Sequence, residues 1–293
     1  MLEKASGCKV NLLLNILGKR ADGYHELETL MHPVALYDRL TFERAGTGLQ
    51  LTCSDPRLPV NSKNLVAQAA ALFLKEAGIG AAEGIRIHLQ KNVPVAAGLG
   101  GGSANAAVSL LALNELFGGP LPSARLTDLA AALGADVPFF LQTAPALATG
   151  RGEMIEPLRT FPALAGFYFV LAQPGFGVST PWAYQALAQF PEAVRGTPGR
   201  ARRLIGLLQT SLEAAAPEFY NALEGPVLRK YPLLELFQEF FRAHGAPVAL
   251  MSGSGSATFA LVPARAAAEA MLEKFKARFG AEIWTAAVPA ASV

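Results

Sequence analysis

The spacing of apolar residues changes period several times along the chain, and each change marks an element. Ile85, Ile87 and Leu89 alternate with Arg86, His88 and Gln90, the period-two pattern of a half-buried strand over 84–90. Similar patterning predicts strands over 38–44 and 49–53. Leu12, Leu14 and Ile16 predict another, which runs into the turn 18–23. Elsewhere the period lengthens. Val66, Ala69, Ala70 and Phe73 form one stripe of a helix over 64–77, with Asn64 suited to cap it and Gly78 to stop it. Ala106, Leu110, Leu113 and Phe117 repeat helical spacing as far as Gly118-Gly119-Pro120, and a further helix covers 123–133, closed by Gly134. Asp136 is left in the connection just before Val137-Pro138.

The second half opens on a strongly apolar strand, 167–172, and turns helical over 182–190, 200–215, 218–229 and 233–244. Thr180 and Pro181 read as the cap and first turn of a helix. The chain closes with strands over 248–251 and 257–262 joined by Ser252-Gly253-Ser254-Gly255-Ser256, then a helix over 264–279 and a strand over 282–288. That order predicts a small α+β layer. Residues 145–157 are rich in turn formers, Gly150-Arg151-Gly152 among them. They place a soft boundary near 155, with one domain over 1–155 and another over 156–293.

A chain of 293 residues is long enough for two such domains. Its net charge of +2 and the lack of a lysine or arginine run argue against nucleic acid or an anionic membrane as partner and favour small molecules. Cys8 and Cys53 form neither a disulfide framework nor a metal motif, which suits a reducing compartment. His25, His32, His88 and His244 are scattered without ligand spacing, so no residue is assigned to a metal. The first residues do not read as a secretory leader, and no run approaches a membrane span. A soluble, cytoplasmic protein is expected.

The most informative segment is Pro94-Val95-Ala96-Ala97-Gly98-Leu99-Gly100-Gly101-Gly102-Ser103-Ala104, set between the strand at 84–90 and a helix. Glycine lets backbone N–H groups approach an anion closely, and the helix that follows directs its positive end at the same charge. No lysine stands in the loop as a Walker A motif requires. The third glycine of a dinucleotide fingerprint would fall on Ser103. This is a phosphate cradle of a third kind. Moving a phosphoryl group also needs charge neutralised and an acceptor hydroxyl held in line, with a carboxylate to take its proton. Lys9 and Asp136 are the candidates. From the residues alone, Lys9 could equally be a solvated lysine at a strand edge, and Asp136 the cap of the short element that follows.

The loop, the late segment Met251-Ser-Gly-Ser-Gly-Ser-Ala257, Lys9-Val-Asn11-Leu12, Lys19-Arg-Ala-Asp22-Gly23-Tyr24-His25-Glu26-Leu27 and Gly134-Ala-Asp136-Val-Pro138-Phe139-Phe140 together resemble the GHMP kinase family. The likeness runs from the first ten residues into the late glycine segment. It implies an α+β protein of two domains, an N-terminal ribosomal-protein-S5-like α/β domain and a C-terminal ferredoxin-like α+β domain. It implies ATP as phosphoryl donor with Mg2+, bound along residues 94–104, and places Asn64 near adenine. Asp136 becomes the catalytic base and Lys9 its charged partner. Asn11, Tyr24, His25, Thr180 and Tyr184 become substrate residues.

The Asp-Gly-Tyr-His stretch resembles the members whose acceptor alcohol carries a cytidine. Tyr24 would stack on the base, His25 would bond its edge, and an aromatic ring from the second half, Tyr184 or the nearby Trp182, would cover the other face. The family often has a second serine where this chain has Ala104, which leaves Ser103 as the loop's hydroxyl near magnesium. Another small-molecule kinase of the same fold, acting on mevalonate or homoserine, and a non-catalytic nucleotide-binding regulator are the alternatives. The protein is expected to work as a monomer or weak homodimer.

Overall fold

The computed structural model describes residues 1–80 and 82–291. Its longest elements are two strands, β1 (Leu2–Lys19) and β2 (His25–Arg44). Sequence patterning finds only part of each. Residues 8–16 of β1 are buried without a break, so polar and apolar residues do not alternate there as on a half-exposed strand. The chain divides into two compact units that do not follow chain order. The first comprises Met1–Cys8, Leu36–Val93 and Gly100–Thr143, and the second Lys9–Ala35, Pro94–Leu99 and Ala144–Val293. Both long strands pass through both units.

In the first unit, β3 (Leu49–Cys53) pairs parallel with β4 (Ile85–Gln90), and β4 pairs antiparallel with the end of β2. Phe42 and Leu51 flank Ile87 in register. Arg86, His88 and Gln90 face water, as the alternation predicts. Helices α1 (Leu65–Glu76), α2 (Gly101–Leu116) and α3 (Ser123–Leu133) cover the apolar face. Phe42, Phe73, Leu110 and Leu113 are fully enclosed there, each adding on the order of 2 kcal/mol of burial free energy. Asn64 caps α1 by accepting from Val66 N at 2.9 Å. A 3-10 turn, Pro138–Leu141, follows α3.

The second unit holds a hairpin of β5 (Ala146–Gly150) and β6 (Met154–Pro157), with β5 antiparallel to residues 27–31 of β2. The turn formers read as a boundary near 155 include the tip of this hairpin, where Gly150 and Gly152 take φ of +71° and +110°. A four-stranded antiparallel sheet runs β11-β7-β10-β9, from β7 (Phe167–Gln173), β9 (Val248–Met251), β10 (Thr258–Pro263) and β11 (Trp284–Pro289). Phe237 and Phe241 of α8 (Pro232–Ala243) and Phe275 of α9 (Arg265–Phe279) pack with Val170 and Ala260 of this sheet.

The connecting stretch carries α4 (Thr180–Ala186), α5 (Arg200–Leu208), α6 (Leu212–Ala215), β8 (Tyr220–Asn221) and α7 (Glu224–Lys230). The single helix expected over 200–215 breaks because Ser211 turns extended and caps α6 through Ala214 N. The helix expected from 218 starts only at Glu224, since Tyr220 and Asn221 are taken up as a strand beside Leu13 and Leu14 of β1. Gly199 at the start of α5 has no side chain to offer. Glu28 of β2 supplies the cap instead, accepting from Gly199 N at 3.1 Å and Ala201 N at 3.0 Å. No described helix is long and apolar enough to cross a membrane.

Candidate active site

Lys9 and Asn11 sit two residues apart on β1 and therefore point to the same side. Both are 3% exposed, which removes the reading of Lys9 as a solvated edge residue. The Lys9 ammonium donates to Asn11 Oδ1 at 2.6 Å and to the carbonyl of Gly98 at 3.1 Å. Asn11 Nδ2 donates to Thr29 Oγ1 at 2.8 Å, and the Thr29 hydroxyl donates to Leu13 O at 2.6 Å. This relay fixes the Asn11 amide with its oxygen toward the lysine. Taking an ammonium out of water is expensive, so its donors are matched to acceptors.

Gly98 belongs to the glycine loop, whose path needs left-handed backbone at Ala96, Gly98 and Gly100, with φ of +53°, +77° and +70°. At Gly98 the reason is contact as well as torsion, because a Cβ there would lie 2.0 Å from Ser252 O. Ser252 Oγ donates to Gly98 O at 3.0 Å and accepts from Asn11 N at 3.3 Å. A Cβ on Gly253 would stand 3.2 Å from Asn11 Oδ1 and 3.4 Å from Lys9 Nζ. The late serine-glycine segment thus closes on Lys9, Asn11 and Gly98.

Two residues that sequence reasoning missed hold this segment from behind. Asn221 gives both amide protons to backbone carbonyls, Met251 O and Gly253 O, each at 2.8 Å. Glu224 Oε1 accepts from Met251 N at 2.8 Å and from Gln238 at 2.6 Å, and burial pushes this carboxyl up to about 7. The only sign of either in the sequence is a polar residue beside the apolar pair Ala222-Leu223.

Tyr24 and His25 lie where the turn after β1 enters β2. Asp22 Oδ1 accepts from Tyr24 N at 3.0 Å, and Arg20 N donates to Tyr24 O at 2.8 Å, so the turn is held by its own residues. Tyr24 is 58% exposed, with the Arg151 guanidinium 4.9 Å from its ring centroid. His25 meets Tyr184 at 5.5 Å between ring centroids, tilted by 34°. Burial, and then the charge of Lys19, push His25 below its ordinary value and favour the neutral ring.

Trp182 is engaged elsewhere, under the Lys230 ammonium at 3.9 Å and edge-on to Tyr231. Of the two rings weighed for the second aromatic position, Tyr184 is therefore the one against His25. The cap of α4 is Ser179 rather than Thr180, and Thr180 Oγ1 pairs with Ser254 Oγ at 2.7 Å.

In the first unit, Gly101, Gly102 and Ser103 open α2. Ala104 is fully buried, so a hydroxyl at that position would face the interior. Asn64 spends its amide on Val66 N and Pro59 O. Asp136 is half-buried between α3 and the following 3-10 turn, in the first unit, whereas Lys9 belongs to the second. Among the described residues, no three of the His, Cys, Asp and Glu side chains gather as a metal-binding group.

Residues 64–143 match the GHMP kinases N terminal domain, and residues 187–281 match the GHMP kinases C terminal domain. A 4-diphosphocytidyl-2-C-methyl-D-erythritol kinase of Synechococcus sp. (strain JA-2-3B'a(2-13)) is 40% identical over 285 residues, covering 94% of this chain and 90% of the relative. The kinase of the same name from Syntrophus aciditrophicus (strain SB) is 42% identical over 264 residues, covering 89% and 90%. The chain belongs to the 4-diphosphocytidyl-2-C-methyl-D-erythritol kinase family of GHMP kinases. A crystal structure of 4-(cytidine 5'-diphospho)-2C-methyl-D-erythritol kinase is similar across the whole fold, with a TM-score of 0.81, 38% identity and coverage of 98% and 99%. The expected α+β, two-domain GHMP kinase architecture is thus borne out.

Proposed function

We propose that the protein transfers the γ-phosphoryl group of ATP to the 2-hydroxyl of 4-diphosphocytidyl-2-C-methyl-D-erythritol, a step of the non-mevalonate route to isoprenoids. The observation that carries this reading is the buried Lys9–Asn11 pair set against Gly98 of the phosphate loop. It is a desolvated positive charge beside backbone shaped for an anion. In the reaction the acceptor oxygen bonds to the γ-phosphorus while the bond to the β-bridging oxygen breaks. ADP leaves, and the hydroxyl proton passes to the Asp136 carboxylate. Lys9 polarises the hydroxyl, with Asn11 keeping Lys9 in place.

Pro94 to Ala104 cradle the triphosphate, and Asn64 stands on the adenine side. Tyr24 and Tyr184 take the two faces of cytosine, neutral His25 bonds its edge, and Thr180 borders the same pocket. Magnesium supplies charge neutralisation when it arrives with ATP. Ser103 is the loop hydroxyl that would stand nearest to it. Residues 1–155 contribute the ATP loop and the catalytic pair, and 156–293 complete the substrate site.

The acceptor is set by the Tyr24–His25 pair, since mevalonate and homoserine offer no base to stack. The partners are small molecules rather than nucleic acid or membrane, and the protein acts in the cytoplasm as a monomer or weak homodimer. The test is ADP release by the purified protein. It should require the cytidine substrate, and release with mevalonate or homoserine instead would overturn the reading. Asp136→Asn should bind both substrates while turnover falls by about 100-fold or more. Near-normal turnover would remove Asp136 from the role of base.

A further inference from the structure

Asp38 of β2 is completely buried in the first unit, and its carboxylate carries four partners. Oδ1 accepts the N–H of Asn92 at 2.7 Å and of Val93 at 2.9 Å. Oδ2 accepts Asn105 Nδ2 at 3.0 Å and the ammonium of Lys91. Asn105 gives a further bond to Ser6 Oγ at 2.9 Å, which holds its amide in that orientation. Residues 91–93 lead into the glycine loop, and Asn105 lies just beyond it in α2, so one carboxylate grips both stems. Lys91 sits against the same place, for a Cβ built on Gly101 would come within 3.3 Å of its ammonium.

A buried ion pair is a poor device for stability alone, because apolar residues of similar volume often serve as well. Its value here is geometric. The N–H groups that meet a phosphate must be aimed before the ligand arrives, and misplacement by about 1 Å can cost on the order of 100-fold. The glycines between these stems have no side chains to fix their own path.

We infer that Asp38 is a positioning residue for the phosphate loop, setting the separation of its two stems through Val93 and Asn105. The inference rests on the reading that residues 94–104 hold ATP. Asp38→Leu combined with Lys91→Met removes the grip without stranding a charge. Three N–H donors lose their acceptor, so its melting temperature should fall by several degrees, while KM for ATP rises by about tenfold or more and KM for the cytidine substrate changes less than about twofold. Asp38→Asn with Lys91→Met keeps an oxygen for Asn92 and Val93 but turns an amide toward Asn105. It should fall between the parent and the first variant.

Asn105→Ala tests the far stem alone and keeps the inference exposed if the double variants fail to fold. It too should raise KM for ATP selectively. Parent-like KM for ATP in any of these folded variants, or equal rises for both substrates, overturns the inference. Gly102→Asp tests the underlying reading separately, because it sets a negative charge on the exposed face of the loop. If that variant binds ATP normally, the loop reading falls and the inference with it. If Gly102→Asp weakens ATP but the Asp38 variants do not, only the inference falls.

Discussion

Lys9 and Tyr24 stand at opposite ends of one continuous stretch, yet the structure treats them in opposite ways. At the Lys9 end every polar group is buried and paired before any ligand arrives, through Asn11, Thr29, Gly98 and Ser252. At the Tyr24 end an aromatic ring is left open to water, steadied by its own turn and by Arg151. Under the proposed function, the contrast follows from what each end would handle. A charge that must act on a reacting phosphate gains from a fixed, low-dielectric setting, because its orientation is settled in advance. A ring that grips a base gains from exposed area, because stacking is complete only when the ligand covers it.

The largest effect expected to test this contrast is Lys9→Met. It should lower kcat by about 100- to 10,000-fold with little change in KM for the cytidine substrate, since it removes a group that acts on reacting atoms. A rise in KM with kcat intact would place Lys9 in binding, like Tyr24. Next comes Glu224→Gln, read by stability rather than rate. The Glu224 carboxyl is held near 7 against an ordinary 4.5. Its protonated form therefore supports the fold fully below 4.5, and that support is lost as pH rises through about 7. The loss is on the order of 3 kcal/mol. Buried His32, pushed down to about 4, gains the fold stability over the same range in both proteins, so urea denaturation should show the glutamine variant gaining on the parent as pH rises from 4.5 to 7.

At the open end, Tyr24→Leu should raise KM for the cytidine substrate by about tenfold, leaving KM for ATP and kcat near parent values. Equal loss of both substrates would break the contrast. The smallest effect belongs to His25. Its proton affinity lies below the ordinary 6.5, so the ring is neutral through pH 7 to 8, and KM for the cytidine substrate should be flat there. KM should climb only at lower pH, where the imidazolium loses its acceptor. His25→Gln should remove the climb.

How far the chain can be read without coordinates differs between these same regions. Asn64 as a cap, α3 over Ser123–Leu133 and the alternation of β4 follow from local rules, and the structure agrees with them. The glycine loop is equally legible, since few other sequences let backbone come so close to an anion. The β5–β6 hairpin was hidden because its turn residues look the same as those of a linker. Asn221 and Glu224 were hidden because their partners, Met251, Gln238 and Gly253, are distant in sequence and contribute mainly backbone atoms.

By itself, then, the sequence determined the elements whose cause is local. These are amphipathic helices, capped ends, a half-exposed strand, and a glycine-rich loop that opens a helix. Through the motifs shared with GHMP kinases it also named Lys9, Tyr24, His25 and Asp136 as the residues to watch. The tertiary structure alone decided that Lys9 is buried against Gly98, that Ser252 and Gly253 close on it, that Tyr184 rather than Trp182 meets His25, and that Asp38 joins the two stems of the loop. The physical reason is the same in each case. A hydrogen bond or ring contact depends on where distant backbone comes to rest, and no local pattern of side chains encodes that position.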